Sequence, residues 1–485
     1  MRLKTLIALS ASFATIGCAT GGLQGQGANR GISQSAAQSA AQQNPAIVAE
    51  FGGAVDANRA AYVTNVGRRV AAQSGVAGGG SAYTFTALNS PVMNAFAVPG
   101  GYVYITRQLM GLMNDEAELA SVLGHEVGHI AADHSAGRQN RGILSQILSA
   151  GAAIVTGSSQ LGQIVGQVAQ LNQLSFSRNQ EFQADDLGIR YISGAGYDPV
   201  AAASLLASLG AATSLETRAS GRNDERSTPN WARTHPLSAD RVSRASRQAQ
   251  ATGLAGRGIR NRDQYLAMLD GAIVDDDPRQ GVVDGRTFSH PDLRLRFSVP
   301  QGYGMQNGTR AVSITGSNGQ AQFSTLPFSG DMNSYIAQVY QSIGGQSRIS
   351  YAQPRTTTVN GIPAAYTTGR VATQQGQVDV SVFAYRWDSN TAYHFATITP
   401  AGSGFGPFQT MVGSLSRLSA AQAAAIRPRV IDVVTARAGD TVQSLASRMA
   451  YTDLKTERFL VLNGLQANSR LTAGQRLKLV VYGAR

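Results

Sequence analysis

The sequence predicts a multidomain chain made of a mainly α first domain with some strand, a small strand-rich α+β domain and a closing βααβ module. Three observations carry that reading. The chain has 485 residues, 43% of them hydrophobic, which is enough for several packed cores. After Asp275-Asp276-Asp277-Pro278 the texture changes from helical periodicity to short alternating strands separated by Gly, Asn and Pro turns. Residues 430–485 then read strand, turn, helix, helix, loop, strand.

Composition narrows the chemistry before any motif is used. Charged residues make up 14% of the chain, against roughly 25% in ordinary soluble chains, so charge-driven disorder is excluded for most of it. Cys18 is the single cysteine, which excludes an internal disulfide framework, Cys-cluster zinc modules and iron–sulfur ligation by this chain alone. Any metal must sit on His and carboxylates. The 41 Lys+Arg against 29 Asp+Glu give +12, a balance suited to nucleic acid, anionic envelope polymers or an acidic membrane face. No block of five basic residues and no helix-turn-helix or aromatic RNA-binding signature accompanies the charge, so no nucleic-acid partner is expected.

At the N-terminus, Arg2 and Lys4 precede an apolar run from Thr5 to Ile16, too short to span a bilayer but suited to a secretory signal over 1–17. Thr15-Ile16-Gly17-Cys18 resembles a bacterial lipoprotein signal, with Thr15 where Leu is usual. That resemblance implies a lipidated Cys18 and, with Ala19 behind it, the periplasmic face of the outer membrane. The alternative is an ordinary signal cut after Ala19, which leaves the protein in the periplasm. Both readings place it in the cell envelope. Residues 18–44, mostly Gly, Ala, Gln, Asn and Ser, read as a flexible tether.

The first domain, 45–270, carries the chemistry. His125-Glu126-Val127-Gly128-His129 is an HExxH motif. Asn114, followed by Asp115 and Glu116, predicts the N-cap of a helix running through Ala131. On that helix Leu119, Leu123, Val127 and Ile130 form one stripe, and His125 and His129 fall on another. At i, i+4 both imidazoles reach one Zn²⁺, leaving Glu126 to take a proton from water. Two histidines hold zinc weakly, so a third ligand is expected. His134 lies off the stripe, and Glu181 is the better candidate, with Asp185 four residues on to orient an imidazole. Without the HExxH, these carboxylates would read as a solvated helix face.

Four motifs in order resemble the HtpX-, BepA- and LoiP-type gluzincin metallopeptidases of peptidase family M48. They are Asn94-Ala95-Phe96-Ala97-Val98-Pro99-Gly100-Gly101, the His125–His129 helix, Glu181-Phe182-Gln183-Ala184-Asp185, and Thr234-His235-Pro236 followed by Asp240-Arg241. Gln183 stands where the family often has Glu. The resemblance covers about 46–250 and implies a zincin-type (α+β) metallopeptidase domain with one Zn²⁺ per chain, acting on misfolded or membrane-associated envelope proteins. Asn94, Ala95 and Phe96 precede the alternating strand Tyr102–Thr106 and would present an edge to substrate backbone, or else form an ordinary hairpin. His235 would stabilise the oxyanion or, as the family suggests, occupy the metal as a fourth ligand that blocks water. Arg241 would pair with an acidic neighbour of the ligands. Residues 143–174, with apolar positions at helical spacing among small residues, read as a lid or as plain core.

Residues 271–284 read as a linker. In 285–418, Leu293–Phe297, Val378–Tyr385 and Tyr393–Ile398 read as strands, and Ile336, Val339, Tyr340 and Ile343 mark one helix. His290 and His394 there read as structural. Gly439-Asp440-Thr441, Leu462-Asn463-Gly464-Leu465 and the run Leu471 to Leu477 resemble a LysM module, which implies contact with peptidoglycan. The same residues also serve as a helix cap and turns. Two other functions stand beside the protease. One is an envelope assembly or chaperone-like factor whose zinc site is plugged, and the other is a peptidoglycan-binding scaffold.

Overall fold

The computed structural model describes residues 31–134, 176–220, 230–236, 239–345, 348–373 and 376–484. The signal segment, Cys18 and the 143–174 segment lie outside the described residues. The tether reading fails in part: Gln34–Glu50 form helix α1. Alanine is the best helix former, and Ala40 and Ile47 give this helix a buried stripe against Phe96, Val98 and Tyr104. Asn44 accepts a hydrogen bond from the Tyr104 hydroxyl at 2.8 Å.

Helix α2 (Ala57–Ala71) leads into a three-stranded sheet of β1 (Thr84–Leu88), β2 (Ala95–Val98) and β3 (Tyr102–Thr106), ordered β1-β3-β2. β3 is central, parallel to β1 and antiparallel to β2, with Ala95 opposite Ile105 and Val98 opposite Tyr102. Alternation then separates two faces: Phe96, Val98 and Tyr104 meet α1, whereas Ala95, Val103 and Ile105 enter the main core.

Beyond α3 (Arg107–Leu112) comes the HExxH helix, α4 (Glu116–Ala131). Its cap is Asp115, one residue later than the sequence suggested. Asp115 Oδ1 accepts from the Glu118 amide at 3.0 Å, and Glu118 Oε2 accepts from the amide of Asn114, the residue before the cap, at 2.8 Å, which ties the entering chain to the first turn. Helix α5 (Arg178–Gly194) starts with a Ser177/Gln180 capping box and packs along α4. Close approach needs glycine at the contact: a Cβ on Gly188 would lie 3.1 Å from the His125 amide nitrogen, and one on Gly128 3.1 Å from the Ala184 carbonyl oxygen. Helices α6 (Val200–Ser220), α7 (Asn230–Thr234), α8 (Ala239–Ala251) and α9 (Arg262–Leu269) complete the first domain.

The strand-rich domain is built on a seven-stranded, wholly antiparallel sheet ordered β11-β12-β13-β14-β10-β9-β8. Its strands are β8 (Gly304–Asn307), β9 (Val312–Gly316), β10 (Gly319–Thr325), β11 (Arg355–Val359), β12 (Ile362–Thr373), β13 (Gly376–Arg386) and β14 (Ala392–Pro400). Val380 and Val382 face helix α10 (Met332–Gly344), and Phe383 and Tyr385 face the opposite core with Phe297 and Phe395. Four short strands, β5 (Val282–Asp284), β6 (Thr287–His290), β7 (Leu295–Ser298) and β15 (Ser416–Arg417), form a second sheet.

The C-terminal unit has the expected βααβ order: β16 (Arg429–Thr435), α11 (Val442–Ser447), α12 (Lys455–Asn463) and β17 (Arg476–Tyr482). Unexpectedly, β16 also pairs antiparallel with β4 (Ile273–Val274), inside the segment read as a linker. Phe459, Leu477 and Leu479 belong to the same apolar cluster as Val127 of the HExxH helix. Lys478, fully buried, donates from Nζ to the carbonyls of Gly111, Leu112 and Met113 at 2.7, 3.2 and 2.6 Å, capping the C-terminus of α3.

Candidate metal centre

Helices α4 and α5 and the turn after α7 bring His125, His129, Glu181 and His235 together, all buried, with one donor atom from each inside a 4.8 Å group. His125 Nε2 lies 3.0 Å from His129 Nε2 and 3.3 Å from His235 Nδ1. Glu181 Oε1 is 2.9 Å from His235 Nδ1 and 3.5 Å from His129 Nε2. A tetrahedral ion with bonds of ~2.0–2.1 Å separates its ligand atoms by about 3.3 Å. Ring nitrogens converge this closely only around a cation or shared protons, and the donor set, three imidazoles and one carboxylate, suits zinc.

The surrounding side chains settle which nitrogen faces inward. His125 Nδ1 is 3.0 Å from Asp185 Oδ1, so that N–H is spent on the carboxylate and the Nε2 lone pair points to the centre. His134 Nε2 is 3.0 Å from Gln183 Oε1, and its Nδ1 is 2.8 Å from His129 Nδ1. Gln183 accepts the His134 proton, His134 accepts from His129, and His129 likewise turns Nε2 inward. Arg241 grips Asp185 with Nε and Nη2, both at 2.8 Å, and sets Nη1 2.7 Å from Glu181 Oε2. Such two-pronged geometry fixes both carboxylates at once.

Protonation follows from this setting. Burial pulls His125 down, but the Asp185 hydrogen bond and the Glu181 charge outweigh it, leaving a more basic imidazole than usual. Burial drives His129 well below the usual histidine range. Burial also works to raise Glu181, yet His235 and His129 hold it far below the ordinary carboxylate range. Glu126 goes the other way, raised chiefly by burial. Both its oxygens are buried without a hydrogen-bond partner among the described residues; Oε1 stands 3.6 Å from His235 Nε2. A buried carboxylate without a hydrogen bond beside a cluster of metal-type donors is the arrangement a proton acceptor for a reacting water requires.

The cluster brings together the three residues expected to hold a metal, His125, His129 and Glu181, with His235, and Asp185 and Arg241 lie against them. Asn94 is buried, and Ala95 and Phe96 lie on β2, one of the two outer strands of its sheet among the described residues. Four neighbours were missed. His134, set aside for being off the stripe, and Gln183 orient His129. Two aromatic rings wall the centre: Trp231 stacks on His235 at 4.3 Å and Phe176 on His129 at 3.8 Å. Trp231, one of 2 tryptophans in the chain and set in a polar stretch, was the available signal.

Residues 57–249 match peptidase family M48, and residues 434–480 match the LysM domain. Over 132 residues the chain is 33% identical to the mitochondrial metalloendopeptidase OMA1 of Arabidopsis thaliana, covering 27% of this chain and 26% of that one. It is 31% identical over 199 residues to the beta-barrel assembly-enhancing protease of Yersinia pestis, covering 39% and 38%. To the metalloprotease LoiP of Escherichia coli it is 29% identical over 171 residues, covering 33% and 61%. The chain therefore spans between about a quarter and three fifths of these relatives' lengths. The buried His125–His129–Glu181–His235 cluster lies within the first matched region, and β16 through β17 coincide with the second: the chain carries a peptidase family M48 domain, whose members use zinc, followed by a LysM domain.

Proposed function

We propose that the protein is a zinc-dependent metalloendopeptidase of the bacterial cell envelope that hydrolyses peptide bonds in misfolded or membrane-associated envelope proteins. The observation that carries this reading is the convergence of His125, His129 and Glu181 on one point beside a buried Glu126 whose oxygens make no hydrogen bond among the described residues. Bound zinc would supply Lewis acidity toward a carbonyl and its attacking water. Glu126 takes the proton from that water at a carboxylate oxygen and passes it to the leaving nitrogen. Asp185 and Arg241 hold His125 and Glu181 in place, and Gln183 with His134 does the same for His129. β2 offers the edge, Asn94 through Phe96, along which an extended peptide would pair. The C-terminal LysM domain supports a peptidoglycan contact and hence an envelope or periplasmic setting. A lipid anchor at Cys18 would put the enzyme on the periplasmic face of the outer membrane.

A specific observation favours a second state. His235 Nδ1 sits inside the donor set, 2.9 Å from Glu181 Oε1, where it would occupy the position water needs. The conformation described here then corresponds to a held-back enzyme, or to the idle metal site of an assembly factor. Zinc-loaded protein, Glu126→Gln and His235→Ala should be compared on an unfolded protein substrate. Glu126→Gln is expected to retain zinc and lose at least 100-fold in cleavage, and His235→Ala to cleave several-fold faster. Zinc binding with no cleavage by either wild type or His235→Ala would establish the assembly factor instead.

A further inference from the structure

Beside the centre lies a cavity of about 230 Å³. Its wall is mostly apolar, with Ser33 set among it, and comes from separate parts of the chain: Ile32 just before α1 and Ala36 within it, Val76 after α2, Ala97 of β2, Pro99 of the β2–β3 turn, and Ile130 of α4. His129 lines it as well, so the cavity opens beside the metal-type donors rather than on a remote surface. Asp133, exposed and held at φ 54°, is its acidic rim.

The N-terminal wall is built in, not draped. Gly100 adopts φ 109°, and a Cβ there would fall 2.5 Å from the Ala36 carbonyl oxygen and 2.9 Å from the Ala40 Cβ. At Gly101, with φ 88°, a Cβ would meet Ile32 Cδ1 at 2.7 Å. Two glycines in succession at positive φ let the hairpin turn lie flat against α1. Residues 31–36 precede the segment that matches the peptidase family, 57–249.

We propose that the cavity is a subsite that receives one apolar side chain of a bound peptide and that residues 31–36 set its size. Pairing on β2 is what commits the occupant. Successive side chains of an extended peptide alternate in direction, so those on the inner side of β2 point where Ala95 and Ala97 point, toward α4. Ala97 is small and half-buried and leaves the room that the peptide's side chain fills. A Val, Leu or Phe side chain suits the apolar wall, whereas Asp or Glu would meet Asp133 at the rim. The inference rests on the peptidase reading above.

The test separates the two. Peptides of ten residues, varied at one position at a time among Ala, Val, Leu, Phe and Asp, are assayed in two ways: cleavage by the zinc-loaded enzyme, and equilibrium binding to zinc-loaded Glu126→Gln. One position should prefer Leu over Ala by about 10-fold or more, the discrimination an apolar pocket gives for a few methylenes. Ala36→Leu, which fills the cavity, should cut the Leu peptide by about 10-fold more than the Ala peptide, and Ile32→Ala should shift the preference toward Phe. Cleavage with selectivity unmoved by both variants overturns the subsite and leaves the peptidase standing. Selective binding that shifts with the variants, without turnover in wild type or His235→Ala, supports the subsite and overturns the peptidase. Neither binding nor cleavage overturns both.

Discussion

The strand-rich domain and the C-terminal module join the first domain in opposite ways. Every buried side chain in the two apolar clusters of the strand-rich domain comes from residue 288 or later, and the domain meets the rest through polar contacts: Thr309 donates to the Glu50 carbonyl at 3.2 Å, and Arg310 lies 3.7 Å from Glu50. The C-terminal module, more distant in sequence, shares one apolar cluster with α2 and α4 and adds β16 to β4. Chain order is therefore a poor guide to energetic coupling. A polar seam permits relative motion, whereas a common core does not.

The largest effect should come from removing residues 429–484. This uncovers the partners of Phe459, Leu477 and Leu479, each worth roughly 1.5–3 kcal/mol, so calorimetry should show the first domain melting on the order of 10 °C lower or more. Replacing 285–428 with a short Gly/Ser linker should shift it by only a few degrees, because the apolar clusters of that region bury no side chain of the first domain. Equal shifts would dissolve the contrast. Next in size, Lys478→Met keeps the side-chain length and deletes the cap on three carbonyls, costing about 2–4 kcal/mol in urea unfolding. A loss below about 0.5 kcal/mol would mean that the strut carries no stability.

The smallest effect sharpens the other side of the comparison. Burial holds His394 neutral, with its pKa lowered to about 3, and its Nδ1 sits 3.0 Å from the Tyr335 hydroxyl. Between about pH 6.5 and 3 the unfolded chain binds a proton that the folded chain refuses. Stability of the strand-rich domain is thus intact above pH 6.5 and falls as pH drops, by about 1.4 kcal/mol per unit. Hydrogen exchange of β13 and β14 amides at pH 5 should be slower in His394→Gln, relative to its own pH 7 value, than in wild type. First-domain amides should not differ.

What was legible in the sequence was local. The HExxH helix announced itself because its stripe and its histidines repeat within four residues, and Glu181 with Asp185 because they share one face of one helix. The cap moved from Asn114 to Asp115 because either side chain could accept, and the bond from the Glu118 amide decided. What stayed hidden was assembled by tertiary contact. His134 reaches His129 only because a turn closes α4, and Trp231 reaches His235 only through a five-residue helix. Helix α1 was disguised by composition, since its Ala-rich pattern carries one large buried residue, Ile47. β4 is two residues long in an acidic stretch and becomes a strand only when β16 arrives beside it.

That last pairing has a geometric corollary. If the final module grips a glycan strand, the backbone bonds between β4 and β16 and the Lys478 strut make the grip stiff, with no swinging arm between anchor and histidines. The protein then works as a ruler rather than a leash, and polypeptides are reached only at a set height above whatever the module holds.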